Sequence, residues 1–269
     1  YRLVHQINPS FGVSGSEEAT LLIRLGRTQE AEAVLTAWTP EASYGYYSRG
    51  ALYYRLGKYP LALADFKSAD DNNATALALD AMGQHTEALS TLAQVEPEGS
   101  SEFRNRGEAY MHIGKFDLAE SDFRRTQELD QASGYGTADN WSDLAWAYNA
   151  QGRHEEALTA ADQAILLNSE YADAHADAHA QRGLALANLG QVDAGQAEAN
   201  RALELAPNSP YFRSVRGRYY RALIYAMSGE KEAAIADLEW VLREWEFDTL
   251  ALWEVENAKE LLEELKGGG

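Results

Sequence analysis

His175 and His179 stand four residues apart in the run ADAHADAH, residues 172–179, so a helix would carry both on one face. That spacing serves zinc or nickel sites, with Asp173 or Asp177 as a further ligand. No third and fourth donor is identifiable, however, and an exposed extra helical turn made by tandem duplication accounts for the run without a metal. Recognition chemistry is better represented. The segments Tyr44–Arg55, YGYYSRGALYYR, and Tyr211–Arg221, YFRSVRGRYYR, mix tyrosine with arginine, and the second holds four arginines and no acid. Arginine offers bidentate pairing to carboxylate or phosphate, and tyrosine a stacking face. The competing reading packs these tyrosines between repeated elements and pairs the arginines with neighbouring Glu. Catalytic patterns are thin: GVSGS at residues 12–16 falls short of a nucleophile elbow because Ser16 stands where glycine is needed and no strand precedes it. The chain has no cysteine, no phosphate-binding glycine loop and no H-E-x-x-H. A non-enzymatic protein without a cofactor is expected.

The elements that must position these residues follow from one stretch, Trp141–Ala164, WSDLAWAYNAQGRHEEALTAADQA. With Gly152 as origin, Ala145 lies seven back, Tyr148 four back, Ala157 five on and Ala161 nine on. The same grid fits at Gly26, Gly57, Gly83, Gly114, Gly190 and Gly229. Seven back stand Ala19, Gly50, Ala76, Gly107, Gly183 and Ala222; nine on stand Leu35, Phe66, Leu92, Phe123, Ala199 and Leu238. Such a grid describes two antiparallel helices joined at a glycine, which ends the first helix in the left-handed conformation without steric cost. Small residues allow close approach, and the large ones fill the space between neighbouring pairs. One pair cannot bury its apolar face alone, so the pairs stack.

Trp141, Leu144, Ala145 and Tyr148, followed by Gly152, Ala157 and Ala161, resemble the tetratricopeptide repeat, as does Pro207 at the last position of its unit. The resemblance covers roughly residues 12–246 and implies an all-α, right-handed superhelical α-solenoid of about seven helix-turn-helix repeats. It further implies that residues ten, six and three before each glycine point into a concave groove. Carried onto this chain, with nearby arginines added, these positions nominate Tyr47, Tyr54, Arg55, Arg104, Trp146, Asn149, Arg216 and Tyr219 for a peptide or partner helix, since Tyr, Trp and Arg are the types enriched at interface hot spots. The Lys and Asn that some relatives use to clamp a chaperone tail are replaced by Tyr47 with Ala51 and Ser142 with Trp146, so that ligand is not expected. The implied function is a scaffold or adaptor. The alternative is a regulatory or oligomerisation segment of a larger bacterial signalling, secretion or envelope protein, which leaves assembly with copies of itself open.

Spacing and charge refine this picture. Origin-to-origin steps are 31, 26, 31, 38, 38 and 39 residues, dividing a compressed block, 12–132, from an extended block, 138–248. A glycine-rich hinge is expected at 133–137, and residues 1–11 read as a flank or the end of an upstream helix. Thr249–Lys266 reads as a capping helix, with Ala251, Val255, Ala258, Leu262 and Leu265 as its apolar stripe and Glu254, Glu256, Glu260, Glu263 and Glu264 on the charged remainder. The tail 267–269 is glycine. The net charge of −19 repels phosphate backbones and anionic headgroups, disfavouring nucleic acid and membrane partners and favouring a protein partner. No apolar run nears the roughly 20 residues of a membrane span, which suits a soluble cytoplasmic or periplasmic protein. Seventeen arginines against six lysines point to a bacterial source.

Overall fold

The computed structural model describes residues 15–133, 138–167, 172–206, 213–245 and 250–267, without the side chains of 172–174 and 213–214. Most of the expected hinge, 134–137, the flank 1–11, Pro207 and residues 268–269 lie outside the described residues. Among those described, every regular element is a helix, and the fold is an all-α solenoid. Two compact units divide after Val95. The first holds α1 (Gly15–Arg24), α2 (Thr28–Ala37), α3 (Ser43–Arg55), α4 (Tyr59–Ala69), α5 (Asn72–Ala81) and α6 (His85–Ala93). The second holds α7 (Ser100–His112), α8 (Phe116–Ala132), α9 (Ala138–Ala150), α10 (His154–Leu166), α11 (Ala172–Asn188), α12 (Val192–Leu205), α13 (Arg213–Ser228), α14 (Lys231–Glu244) and α15 (Leu252–Gly267). Helices α8 and α9, which flank the glycine stretch, pack on each other within the second unit.

All seven grid glycines have positive φ, between 69° and 84°. At Gly152 the amide donates to the Asn149 carbonyl at 3.0 Å and the Arg153 amide to the Tyr148 carbonyl at 2.9 Å. Matching pairs of bonds close the other six turns. This is the two-bond Schellman closure, which satisfies carbonyls that a helix end would otherwise leave open. The next helix starts at once: Arg153 is already the N-cap of α10, and Glu155 and Glu156 sit in its first turn, where carboxylates suit the helix dipole. The shortest step, Gly57 to Gly83, is accommodated by Asp70 in the left-handed conformation and by Asp71, whose side chain accepts from the Ala74 amide at 2.8 Å.

Packing follows the small and large columns as complementary volumes. Gly50 faces Phe66 and Gly107 faces Phe123, so closely that a Cβ at Gly107 would lie 2.6 Å from the Phe123 ring. Where the small residue is alanine, as at Ala19, Ala76 and Ala222, its counterpart is Leu35, Leu92 or Leu238, and all six are fully buried. Between α11 and α12 the counterpart shrinks to Ala199 and the backbones close in instead, a Cβ on Gly195 falling 2.6 Å from the Gly183 carbonyl oxygen.

Gly107→Ala gains about 0.5–1 kcal/mol of helix propensity but overpacks a site where such insertions cost about 1–3 kcal/mol. Net destabilisation of about 1–2 kcal/mol is expected in urea denaturation. Adding Phe123→Leu, which recreates the Ala/Leu pairing of three other repeats, should make the double variant less destabilised than the sum of the two single variants.

Candidate functional site

The first helices of the second unit's pairs, α7, α9, α11 and α13, converge on one enclosed centre. Trp146 of α9 is 2% exposed, and the guanidinium of Arg216 from α13, 1% exposed, lies 3.8 Å from its ring centroid. His112, at the end of α7, meets the same indole edge-on at 6.0 Å. From α9, the Asn149 side-chain amide donates to the backbone carbonyl and the side-chain oxygen of Gln181 on α11, each at 3.0 Å. Tyr219 and Tyr220 of α13 are buried beside this cluster, and the Gln181 amide approaches the Tyr220 hydroxyl at 3.5 Å.

The centre is closed by the first turn of α15. Glu254 is completely buried. One oxygen accepts from the Ala251 amide at 2.8 Å, so the residue caps its own helix from the third position. The other lies 3.4 Å from the Tyr220 hydroxyl and 3.9 Å from Arg216 Nε. Trp253 donates its indole N–H to the Met111 carbonyl, 142 residues away in sequence, at 3.0 Å and meets Phe116 edge-on at 5.5 Å. Asn257, one turn further on, hydrogen-bonds Tyr219. Of the apolar stripe, Ala251, Val255 and Ala258 are buried, while Leu262 and Leu265 are only partly covered. Glu254 departs from the expected pattern: the helical period assigns it to the solvent-facing side, yet it points inward because Arg216 and the Tyr220 hydroxyl offer it polar partners.

Electrostatics mark the centre as dry. Burial, with Arg216 nearby, holds His112 down at about 3, so it is neutral there. Burial pushes the Glu254 carboxyl above its ordinary value despite the opposing pull of Arg216. Burial and then Glu254 push both Tyr219 and Tyr220 upward.

The nominated residues divide between the units. Trp146, Asn149, Arg216 and Tyr219 share the centre just described and are buried, where the family positions imply a groove face. Arg104 lies on α7, partly exposed, bonded to Asp143 at 2.6 Å and near Glu108 at 3.4 Å. Tyr47, Tyr54 and Arg55 belong to α3 of the first unit. The Tyr47 ring packs 5.9 Å from Phe66, and buried Tyr54 meets Tyr59 edge-on at 5.2 Å. Arg55 is half-buried.

Arg49 and Arg221 of the Tyr/Arg segments, with Arg106 and Arg182, follow a register that spacing alone did not expose. Arginine eight before the glycine pairs with a carboxylate eight after it. Arg49–Asp65, Arg106–Asp122 and Arg221–Asp237 are bidentate, at 2.6–2.9 Å, and Arg182–Glu198 repeats the register at 2.7 Å. Arg49 also stacks with Tyr46 and Tyr53, and Arg106 with Phe103 and Tyr110. These groups tie four of the helix pairs together, with Asp rather than Glu as the usual partner. His179 bonds Glu198 at 2.5 Å. Among the described residues, no group of three or more His, Asp or Glu side chains is placed to hold a metal, and no helix is long and apolar enough to cross a membrane.

Tetratricopeptide repeat family models match residues 16–76, 101–166 and 142–210, more than half of the chain. The chain belongs to the tetratricopeptide repeat family. Among curated proteins it is similar to Superkiller complex protein 3 of Mus musculus, 24% identical over 65% of this chain. It spans only about 10% of the length of the curated relatives it matches. Among solved structures, a tetratricopeptide repeat protein from Parabacteroides merdae is 18% identical, with a TM-score of 0.57 over 94% of this chain and 97% of that one. A Rap protein complexed with Competence and Sporulation Factor is 14% identical, with a TM-score of 0.52 over 94% and 86%. At these identities the likeness is one of fold.

His112 supplies a pH test. Its folded value lies below the ordinary 6.5, so the unfolded chain takes up the proton first and stability falls as pH drops below about 6.5 towards 3. One site contributes at most about 1.4 kcal/mol per pH unit. Glu254 opposes this trend, because its raised value favours the folded state once its carboxyl is protonated. The difference between wild type and His112→Gln isolates the histidine: urea midpoints measured from pH 7 to 5 should fall more steeply for wild type.

Proposed function

We propose that this chain is a non-enzymatic protein–protein interaction scaffold whose repeats bind a peptide or partner helix along the first helices of the pairs. Family membership supports the coarse reading, since tetratricopeptide repeats serve protein interaction. One observation carries the finer one. In the second unit, two positions that the family pattern assigns to the groove, Met111 and Tyr219, already receive α15, the first through its backbone carbonyl and the Trp253 indole and the second through Asn257. A face that accepts α15 in this way has the polar and aromatic chemistry to accept another helix. Arg104, Tyr47 and Arg55 retain exposure and supply contacts outside the enclosed centre.

A second reading, in which the array is a regulatory or oligomerisation segment of a longer protein, draws on the much greater length of the curated relatives. Sedimentation equilibrium distinguishes the two, because an oligomerisation segment self-associates at micromolar concentration and a monomeric scaffold does not.

Array-displayed helical peptides that bind the intact chain should lose about tenfold or more in affinity, roughly 1.4 kcal/mol, on combined Tyr47→Ala and Arg104→Ala substitution, with thermal unfolding held within a few degrees. Unchanged binding by that variant would count against the scaffold reading.

A further inference from the structure

Helix α15 differs from a simple solenoid end. A terminal cap needs only an apolar stripe towards the last pair and charge elsewhere, and Ala251, Val255 and Ala258 provide the stripe. Trp253 and Glu254 add something that capping does not require. Trp253 reaches the far pair of the unit, bonding the Met111 carbonyl and packing on Phe116. Glu254 takes a carboxylate into a fully enclosed centre and sets it beside Arg216 and Tyr220. Burying an ion pair is a poor way to add stability compared with a well-packed apolar contact, but it discriminates sharply between correct and incorrect occupants. Beyond this first turn, α15 becomes a solvated helix, with Glu256, Glu260, Glu263 and Glu264 exposed. The contacts that close the centre are led by two consecutive residues at the helix start, with Asn257 one turn on bonding Tyr219, the arrangement of a recognition motif.

We propose that α15 occupies the second unit's binding face in cis, and that the partner taken there in trans is an amphipathic helix whose first turn carries an aromatic residue followed by a carboxylate. The proposal rests on the scaffold reading and names its ligand class and its regulation: a trans helix binds only as α15 leaves. On departure, water re-enters the centre and rehydrates Arg216, so removing Glu254 costs no more than undocking α15, and the rest of the unit stays folded.

The test uses a fluorescently labelled synthetic copy of residues 250–266 and the full chain, either intact or carrying Trp253→Ala with Glu254→Gln. The doubly substituted chain should bind the labelled helix at least tenfold more tightly than the intact chain does, because its own α15 no longer competes. A peptide bearing the same two substitutions should not bind. Equal binding by the two chains, or binding indifferent to the peptide's Trp and Glu, would overturn the proposal. If circular dichroism shows the double variant unfolded, Glu254→Gln alone, which keeps the side-chain shape, is read in its place, with a smaller gain of about threefold or more expected and no gain overturning the proposal. The scaffold reading is judged separately by Tyr47 and Arg104, which these substitutions leave untouched, so failure of this proposal is distinguishable from failure of that reading.

Discussion

A single backbone event, the left-handed glycine that ends one helix two residues before the next begins, sets the register of every other contact in this chain. Because the turn is closed by its own two hydrogen bonds, the residues seven before and nine after it are forced to face each other. That constraint leaves little freedom in side-chain volume. Gly against Phe, Ala against Leu, and Gly with Gly at the closest approach are three solutions to the same gap. The arginine and carboxylate eight residues to either side repeat the logic in charge, four times in the same register and three times as a bidentate pair. Largely covered pairs of this kind add little net stability, because desolvation offsets their attraction, but bidentate geometry orients the two helices of a pair more sharply than apolar contact does.

The same register builds the enclosed centre of the second unit. Once each pair is fixed, the first helices of the second unit must present the residues ten, six and three before the glycine to a common interior. Repeats 38 and 39 residues apart lengthen α11 and α13 to 17 and 16 residues, and this interior is narrow enough for Arg216 to reach Trp146 and for Gln181 to bridge Asn149 and Tyr220 across three pairs. The centre is polar and aromatic rather than aliphatic, and its ionisable groups are displaced from their ordinary values chiefly by burial. Such a centre is held to one arrangement by hydrogen bonds and a stacked guanidinium. Its occupant must match them.

How much of this was legible in the sequence depends on the distance over which the information acts. The glycine turns, the small and large columns and the stripe of α15 are local or separated by one helix pair, and spacing alone exposes them. The Arg–carboxylate register was equally present but hidden, because it occurs in four of seven repeats and uses both Asp and Glu. The closing of the centre was not legible. Helical period places Glu254 on the charged side of α15, and nothing in residues 249–266 says that a partner waits on α13. Trp253 meeting Met111 depends on the geometry accumulated over four repeats. The one available signal was a tryptophan off the apolar stripe, directly before a glutamate at the third helical position, where an exposed aromatic has no role in capping. The nominated residues Trp146 and Arg216 were brought together although they lie 70 residues apart, because both stand on first helices of the second unit.

The central claim, that α15 is a replaceable occupant and not an inseparable part of the core, is tested most directly by native-state hydrogen exchange on the unmodified chain. Local opening has its own free energy, distinct from global unfolding. The amides of residues 252–266 are expected to exchange through an opening well below the global unfolding free energy, while α9 and α11 stay protected. Exchange of α15 only together with α9 and α11, at the global rate, would contradict that claim.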